Sequence, residues 1–274
     1  MIASFSGPVE FSPVFSARPQ ITHAVFDFDG TLSWLRHGWP EMMFEIFKPH
    51  LALKPGESET ALHDLLLNDI LSLNGKPAIH QMRRGAERIA ERGRTAPDPQ
   101  RLLDDYAQRL DAEIQERTEA ILGRCAAPDD FVVFGARKLL DQLRSRGLVL
   151  IILSGTAEPK VKQEAQLLNL SGYFGNHIYG SSDSKFSKRA VLDRLFVEEK
   201  IAGENLLSFG DGPVEIQHTK ELGGLAVAVA SDEEVNGSGK VHPQKREQLL
   251  AAGADLLIPD YRDTAALLHC LFQK

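Results

Sequence analysis

Cysteine is nearly absent from this 274-residue chain, which carries only Cys125 and Cys270. Two cysteines build no disulfide framework and here have no metal-type spacing. Two free thiols in a reducing cytoplasm are expected, each a small buried hydrophobe. Long apolar runs are also missing. None nears the ~20 residues of a membrane span, and the longest, residues 148–153, suits a core strand. The first residues lack a basic stretch followed by an apolar core, so no signal peptide is expected. No basic block occurs and the net charge is −7, which argues against nucleic acid as a partner. Internal repeats and low-complexity tracts are absent. With 43% hydrophobic and 25% charged residues, the composition is that of an ordinary soluble globule. The length fits one large domain or a domain carrying an insert. Phe5, Phe11 and Phe15, spaced by Ser, Gly and Pro, either pack a short hairpin onto the body or stay loose.

Chemistry concentrates at residues 23–31, where His-Ala-Val-Phe runs into Asp27-Phe28-Asp29-Gly30-Thr31. The apolar part reads as a buried strand. Asp27 and Asp29 would share a face of a continued strand, and Gly30 offers a turn out of it. Two carboxylates and a hydroxyl then sit at the carboxyl end of a strand, where open α/β sheets bind ligands. Two anions this close need a shared proton or a cation, and Mg²⁺ is the simplest relief. One carboxylate could attack phosphorus while the other handles protons. The plain alternative is a strand followed by an Asx-type turn.

Residues 33 to about 123 change character, with helical periodicity over 41–47, 59–71, 79–91 and 102–122 and Pro/Gly punctuation between. From residue 131 the pattern alternates. Helices are expected at 135–146, 159–168, 187–200, 245–252 and 264–272. Strands are expected at 148–153, 177–179, 206–209, 225–230 and 256–258. Repeated βα units imply a parallel sheet covered on both faces. The expected domains are a discontinuous body, 1–32 and 124–274, and a helical insert, 33–123.

Three later segments bear on the same chemistry. Residues 150–156 form an apolar strand ending in Ser154, whose hydroxyl and following N–H groups could receive a phosphoryl oxygen; an ordinary cap for the next helix is the alternative. Lys185 and Lys188 are both available as a cation for phosphoryl transfer. Lys188 is favoured, because Ser187 is a natural N-cap and Lys188 then starts the helix. Residues 206–215 end a strand in Gly210-Asp211-Gly212, with Glu215 four residues beyond Asp211. A helix starting near Pro213 would let both acids face one point, although Gly-Asp-Gly-Pro is also a plain turn.

Together these segments resemble, in order, the four motifs of the haloacid dehalogenase superfamily, phosphatase type with a helical cap. The resemblance spans residues 21 to about 260 but not the sequence of the insert. It implies a three-layer Rossmann-like parallel sheet with an inserted all-helical cap. It implies Asp27 as nucleophile, Asp29 as general acid/base, and Ser154 and Lys188 on the phosphoryl oxygens. Mg²⁺ would be held by Asp27, the Asp29 carbonyl, Asp211 and Glu215. Glu215 stands where the family has Asp, so its role is open. Thr31 is expected to hold Asp29 or its loop. The expected substrate is a small phosphorylated metabolite, with a sugar phosphate a guess from family frequency. Trp34, Arg36, His37 and Trp39, then Gln81 and Arg84, could reach the substrate, with a structural role as the alternative for each. A phosphomutase of the same fold and a non-catalytic phosphometabolite binder are the rival readings.

Overall fold

The computed structural model describes residues 5–182 and 187–273. Its strands are β1 (Glu10–Phe11), β2 (His23–Phe26), β3 (Val149–Ala157), β4 (Ile178–Ser181), β5 (Leu206–Gly210), β6 (Leu225–Val229) and β7 (Leu256–Ile258). They form one sheet in the order β1-β7-β6-β5-β2-β3-β4. Every neighbouring pair is parallel except β1 on β7. β2 lies between β3 and β5, with Phe26 opposite both Ile152 and Phe209. The carboxyl ends of these three strands therefore open on one side, where ligands bind in such sheets.

The helices are α1 (Trp39–Phe47), α2 (Glu59–Ser72), α3 (Ile79–Ala90), α4 (Pro99–Leu122), α5 (Ala136–Ser145), α6 (Glu158–Leu167), α7 (Ser171–Phe174), α8 (Lys188–Glu198), α9 (Pro213–Glu221), α10 (Pro243–Ala251) and α11 (Thr264–Phe272). Strand alternation sorts the apolar side chains onto two faces. Ala24, Phe26, Leu207 and Phe209 pack with Leu140 of α5 and Leu268 of α11. On the other face Val25 and Ile151 meet Leu192 of α8, and Ala226 and Ala228 meet Ile216 of α9 and Leu249 of α10. The result is helix, sheet and helix in three layers, a Rossmann-like α/β fold.

Between β2 and α5 the chain makes α1 to α4, which bury their own cluster around Met43, Phe47, Leu66, Met82 and Leu102. Local chemistry starts these helices. Ser58 accepts the Ala61 N–H at 3.1 Å, Asp98 accepts that of Gln100 at 2.8 Å, and Pro99 takes the first position of α4, where its missing N–H costs nothing. The close crossing of α3 over α1 requires Gly85, since a Cβ there would stand 2.5 Å from the Phe47 ring.

Three expectations are corrected. The strand expected over 148–153 runs on to Ala157, with a register shift between Leu153 and Ala157 where it pairs with β4. Phe5 and Phe15 pack onto the body, as one of the two alternatives had it, but without a hairpin. Phe11 sits in β1, added antiparallel to β7, and the three rings meet edge to face at 6.0 and 5.1 Å. Cys125 is exposed rather than buried, because it follows the last turn of α4 on the way back to the sheet; Cys270 is half-buried. No helix among the described residues is long and apolar enough to cross a membrane.

Candidate active site

β2 stops at Phe26, and the Asp27 N–H still donates to the Phe209 carbonyl at 2.9 Å, holding Asp27 at the mouth between β2 and β5. The chain then turns through Gly30 at φ +74°, and a Cβ at this position would stand 2.2 Å from Asp211 Oδ2. Glycine is needed both for the left-handed backbone and for the approach of the two acidic loops. Asp211 follows β5 directly, and Glu215 lies in the first turn of α9.

Three buried or nearly buried cations each stand between two carboxylates. Lys188, the first residue of α8, places Nζ 2.9 Å from Asp27 Oδ1 and also contacts Glu215 Oε1. Ser187 caps that helix, accepting the Ala190 N–H at 3.4 Å. Arg36, just past the first loop, places Nε 2.8 Å from Asp29 Oδ1 while a terminal nitrogen contacts Glu164 Oε1 on α6. Lys245 on α10 lies 3.0 Å from Asp211 Oδ2 and also contacts Glu233 Oε1. Buried charges persist only when paired in this way.

Burial pushes the Asp27 carboxyl well above the usual range. Lys188 opposes that shift, and the neighbouring Glu215, Asp211 and Asp29 charges add to it. Asp211 is pushed up to about 6, again by burial first, against the pull of Lys245. Burial works against the Lys188 charge, yet Asp27 and Glu215 hold its pKa above the ordinary lysine value. Glu164 is raised to about 7 by burial, against Arg36.

The structure therefore brings Asp27, Asp29, Ser154, Lys188 and Asp211 to one cavity of about 220 Å³. Glu215 lies behind them on Lys188. Ser154 Oγ is 3.5 Å from Asp29 Oδ2 and accepts the Thr156 N–H at 3.1 Å. That N–H is thereby taken up, contrary to the expectation that it was free for a phosphoryl oxygen. Thr31 is corrected as well: its hydroxyl is buried without a hydrogen-bond partner and does not hold Asp29. Its carbonyl instead accepts the Tyr261 hydroxyl at 2.9 Å. Thr156 Oγ1 does hold Asp29, donating to Oδ2 at 2.8 Å. Lys185 lies outside the described residues.

The insert covers the cavity. Arg36, Trp39, Gln81 and Tyr106 line it, as does the 74–78 turn; Trp34, His37 and Arg84 do not. Trp34 and His37 stack on each other at 3.6 Å, and Arg84 pairs with Asp69 at 3.2 Å. Sequence reasoning missed Thr156, Glu164, Glu233 and Lys245. Only Thr156 left a signal, since residues two apart on a strand share a side.

Among the described residues no three or more His, Cys, Asp or Glu side chains form a ready-made metal cage; Lys188 and Lys245 occupy carboxylate oxygens instead. The donors still suit a hard divalent ion. They are all oxygens, Asp211 Oδ1 and Glu215 Oε2 are buried without hydrogen-bond partners, and the crowding of acids around Asp27 is a charge that a cation relieves.

The family described as haloacid dehalogenase-like hydrolase matches residues 21–223. No curated protein matches the chain. Among solved structures, a haloacid dehalogenase-like protein of Agrobacterium tumefaciens aligns with a TM-score of 0.62 at 15% identity, over 90% of this chain and 97% of its own. A provisionally named β-phosphoglucomutase of Bacteroides vulgatus gives 0.59 at 19%, over 93% and 92%. A predicted phosphoglycolate phosphatase of Haemophilus somnus gives 0.58 at 14%, over 90% and 98%. At these identities the likeness is one of fold.

Proposed function

The chain belongs to the haloacid dehalogenase-like hydrolase family, and from that premise we propose that it hydrolyses a small phosphate monoester, with Mg²⁺, through an aspartyl-phosphate on Asp27. The observation that carries this reading is the placement of Lys188 Nζ, 2.9 Å from Asp27 Oδ1 and in the same cavity as Asp29. A nucleophilic carboxylate, a fixed cation and a second carboxylate for protons are what the reaction needs.

In the first step an Asp27 oxygen attacks phosphorus and the P–O bond to the organic group breaks. Asp29, protonated, gives its proton to the departing alkoxide. In the second step Asp29 takes a proton from water, the water oxygen attacks phosphorus, and the bond to Asp27 breaks. Ser154 donates to a phosphoryl oxygen and Lys188 offsets its charge. Thr156 and Arg36 hold Asp29 in place. Mg²⁺, when bound, would sit on Asp27, the Asp29 carbonyl, Asp211 and Glu215, neutralising phosphoryl charge. Glu215 would take that role through Oε2, which has no partner, while Oε1 stays on Lys188.

The insert acts as the cap. A space of about 220 Å³ is below the ~300–1,000 Å³ of pockets for drug-sized ligands, which supports a small phosphorylated metabolite, sugar phosphates included. Closure by the insert would exclude water from the first step. The two free thiols support a cytoplasmic setting.

A phosphomutase is the second reading, favoured by the fold shared with the Bacteroides protein. The test is a panel of phosphate esters with wild type and Asp27→Asn, with inorganic phosphate and phosphorylated isomers both measured. Mg²⁺-dependent phosphate release is expected, falling about 10⁴-fold or more in Asp27→Asn. Isomer formation without net phosphate release would establish the mutase instead. Binding without turnover across the panel would leave a non-catalytic binder.

A further inference from the structure

Lys245 is the one member of the three cation bridges that faces no reacting atom. Its side chain is fully buried, and Nζ has three partners: Asp211 Oδ2 at 3.0 Å, Ser231 Oγ at 3.2 Å, and Glu233 Oε1. Each partner is itself seated. Ser231 Oγ donates to the Gly30 carbonyl at 3.0 Å, in the loop that carries Asp27 and Asp29. Glu233 Oε2 accepts the N–H of Gly38, the residue before α1, at 3.1 Å. Asp211 is left with one oxygen fixed by Lys245 and the other, Oδ1, buried without a partner.

We propose that Lys245 is a positioning residue for the cation site. By holding one oxygen of Asp211 it aims the other at the ion, and Glu233 and Ser231 fix the lysine in turn. This rests on the reading of Asp211 as a cation ligand. Partners that orient a metal-bound carboxylate are worth about 10–100-fold in metal affinity.

A charge argument runs the other way and must be separated. Lys245 is positive, so removing it alone also removes repulsion from the ion. The double variant Lys245→Met/Glu233→Gln deletes one positive and one negative charge and keeps the net charge of wild type. Met fills the volume of the lysine stem, and Gln keeps an oxygen for the Gly38 N–H. Calorimetric titration with Mn²⁺, without substrate, is the readout, alongside thermal unfolding of the metal-free protein.

Wild type should bind Mn²⁺ and Asp211→Asn should not. The double variant should unfold cooperatively and bind Mn²⁺ about 10–100-fold more weakly. Ser231→Ala, which changes no charge and removes one support of Lys245, should bind measurably more weakly too, and it decides the matter if the double variant does not fold. Wild-type affinity in a folded double variant, or in Ser231→Ala where that variant must decide, overturns the role of Lys245 and leaves the cation reading standing. No Mn²⁺ binding by wild type, or undiminished binding by Asp211→Asn, overturns both.

Discussion

Two threonines beside the acidic loops, Thr31 after β2 and Thr156 near the end of β3, are alike in size and opposite in role. Thr156 donates to Asp29 Oδ2 at 2.8 Å, while the Thr31 hydroxyl is buried with no partner. A hydrogen bond to a charged group is worth about 1.5–3 kcal/mol, whereas an unpaired buried hydroxyl costs stability. Thr156→Val should therefore lower kcat/KM by about 10–100-fold, the same energy expressed as a rate. Thr31→Val, which fills the same volume with a methyl group, should leave Tm equal or higher. Steady-state kinetics and a melting curve on each variant check this, and a Thr31→Val that melts well below wild type would show that its hydroxyl is in use. Alternation puts Ser154 and Thr156 on one side of a strand, but the strand expected to end at 153 runs on to Ala157, so Thr156 was missed as the partner of Asp29. The fate of the Thr31 hydroxyl was not legible either, because it depends on how the chain folds back after Gly30.

At the level of elements, each acid of the site meets a cation from a different part of the chain. Asp27 at the end of β2 meets Lys188 at the start of α8, and Asp29 meets Arg36 at the entry to the insert. Behind Arg36 stands Glu164 of α6, 128 residues away in sequence. Lys188 was legible because Ser187 announces a helix start. Glu164 and Lys245 carry no local signal, since only the assembled layers bring them to their partners. The Glu164 pair makes a pH dependence that can be measured. Its pKa rises from 4.5 to about 7 on folding, chiefly by burial, so the folded state binds the proton more tightly than the unfolded one. The resulting stability is complete below about pH 4.5 and is lost as pH climbs through about 7. Glu164→Gln keeps the shape and removes the titration. Calorimetric Tm values at pH 5, 6, 7 and 8 should fall less in the variant than in wild type. Equal slopes would mean that Glu164 is charged in the folded protein across the whole range.

For the whole molecule, the switch from helical periodicity to βα alternation made an α/β body interrupted after its first core strand legible, and the layered sheet agrees. The two-residue β1 was not, because so short a strand has no period of its own. Its effect is nonetheless large. β7 is buried on both faces, and without β1 its outer edge would present unpaired backbone groups. The N-terminal segment closes that edge by pairing Phe11 with Leu256, by donating the Ser12 N–H to the Asp255 carbonyl at 2.8 Å, and by joining Glu10 to Arg246 at 2.5 and 2.6 Å. Bare hydrophobic edges invite strand pairing between molecules. Deleting residues 1–16 should therefore lower Tm by about 5 °C, since 1 kcal/mol moves a domain of this size by roughly 2–4 °C, and should cause self-association visible by light scattering. The acidic loops follow β2 and β5, the end of β3 completes the site, and β7 and β6 separate β1 from that group. Turnover per folded monomer at low concentration should then stay at the wild-type value. If turnover falls in step with Tm while the protein remains monomeric, the segment shapes the site itself, and its role is not confined to sealing the sheet.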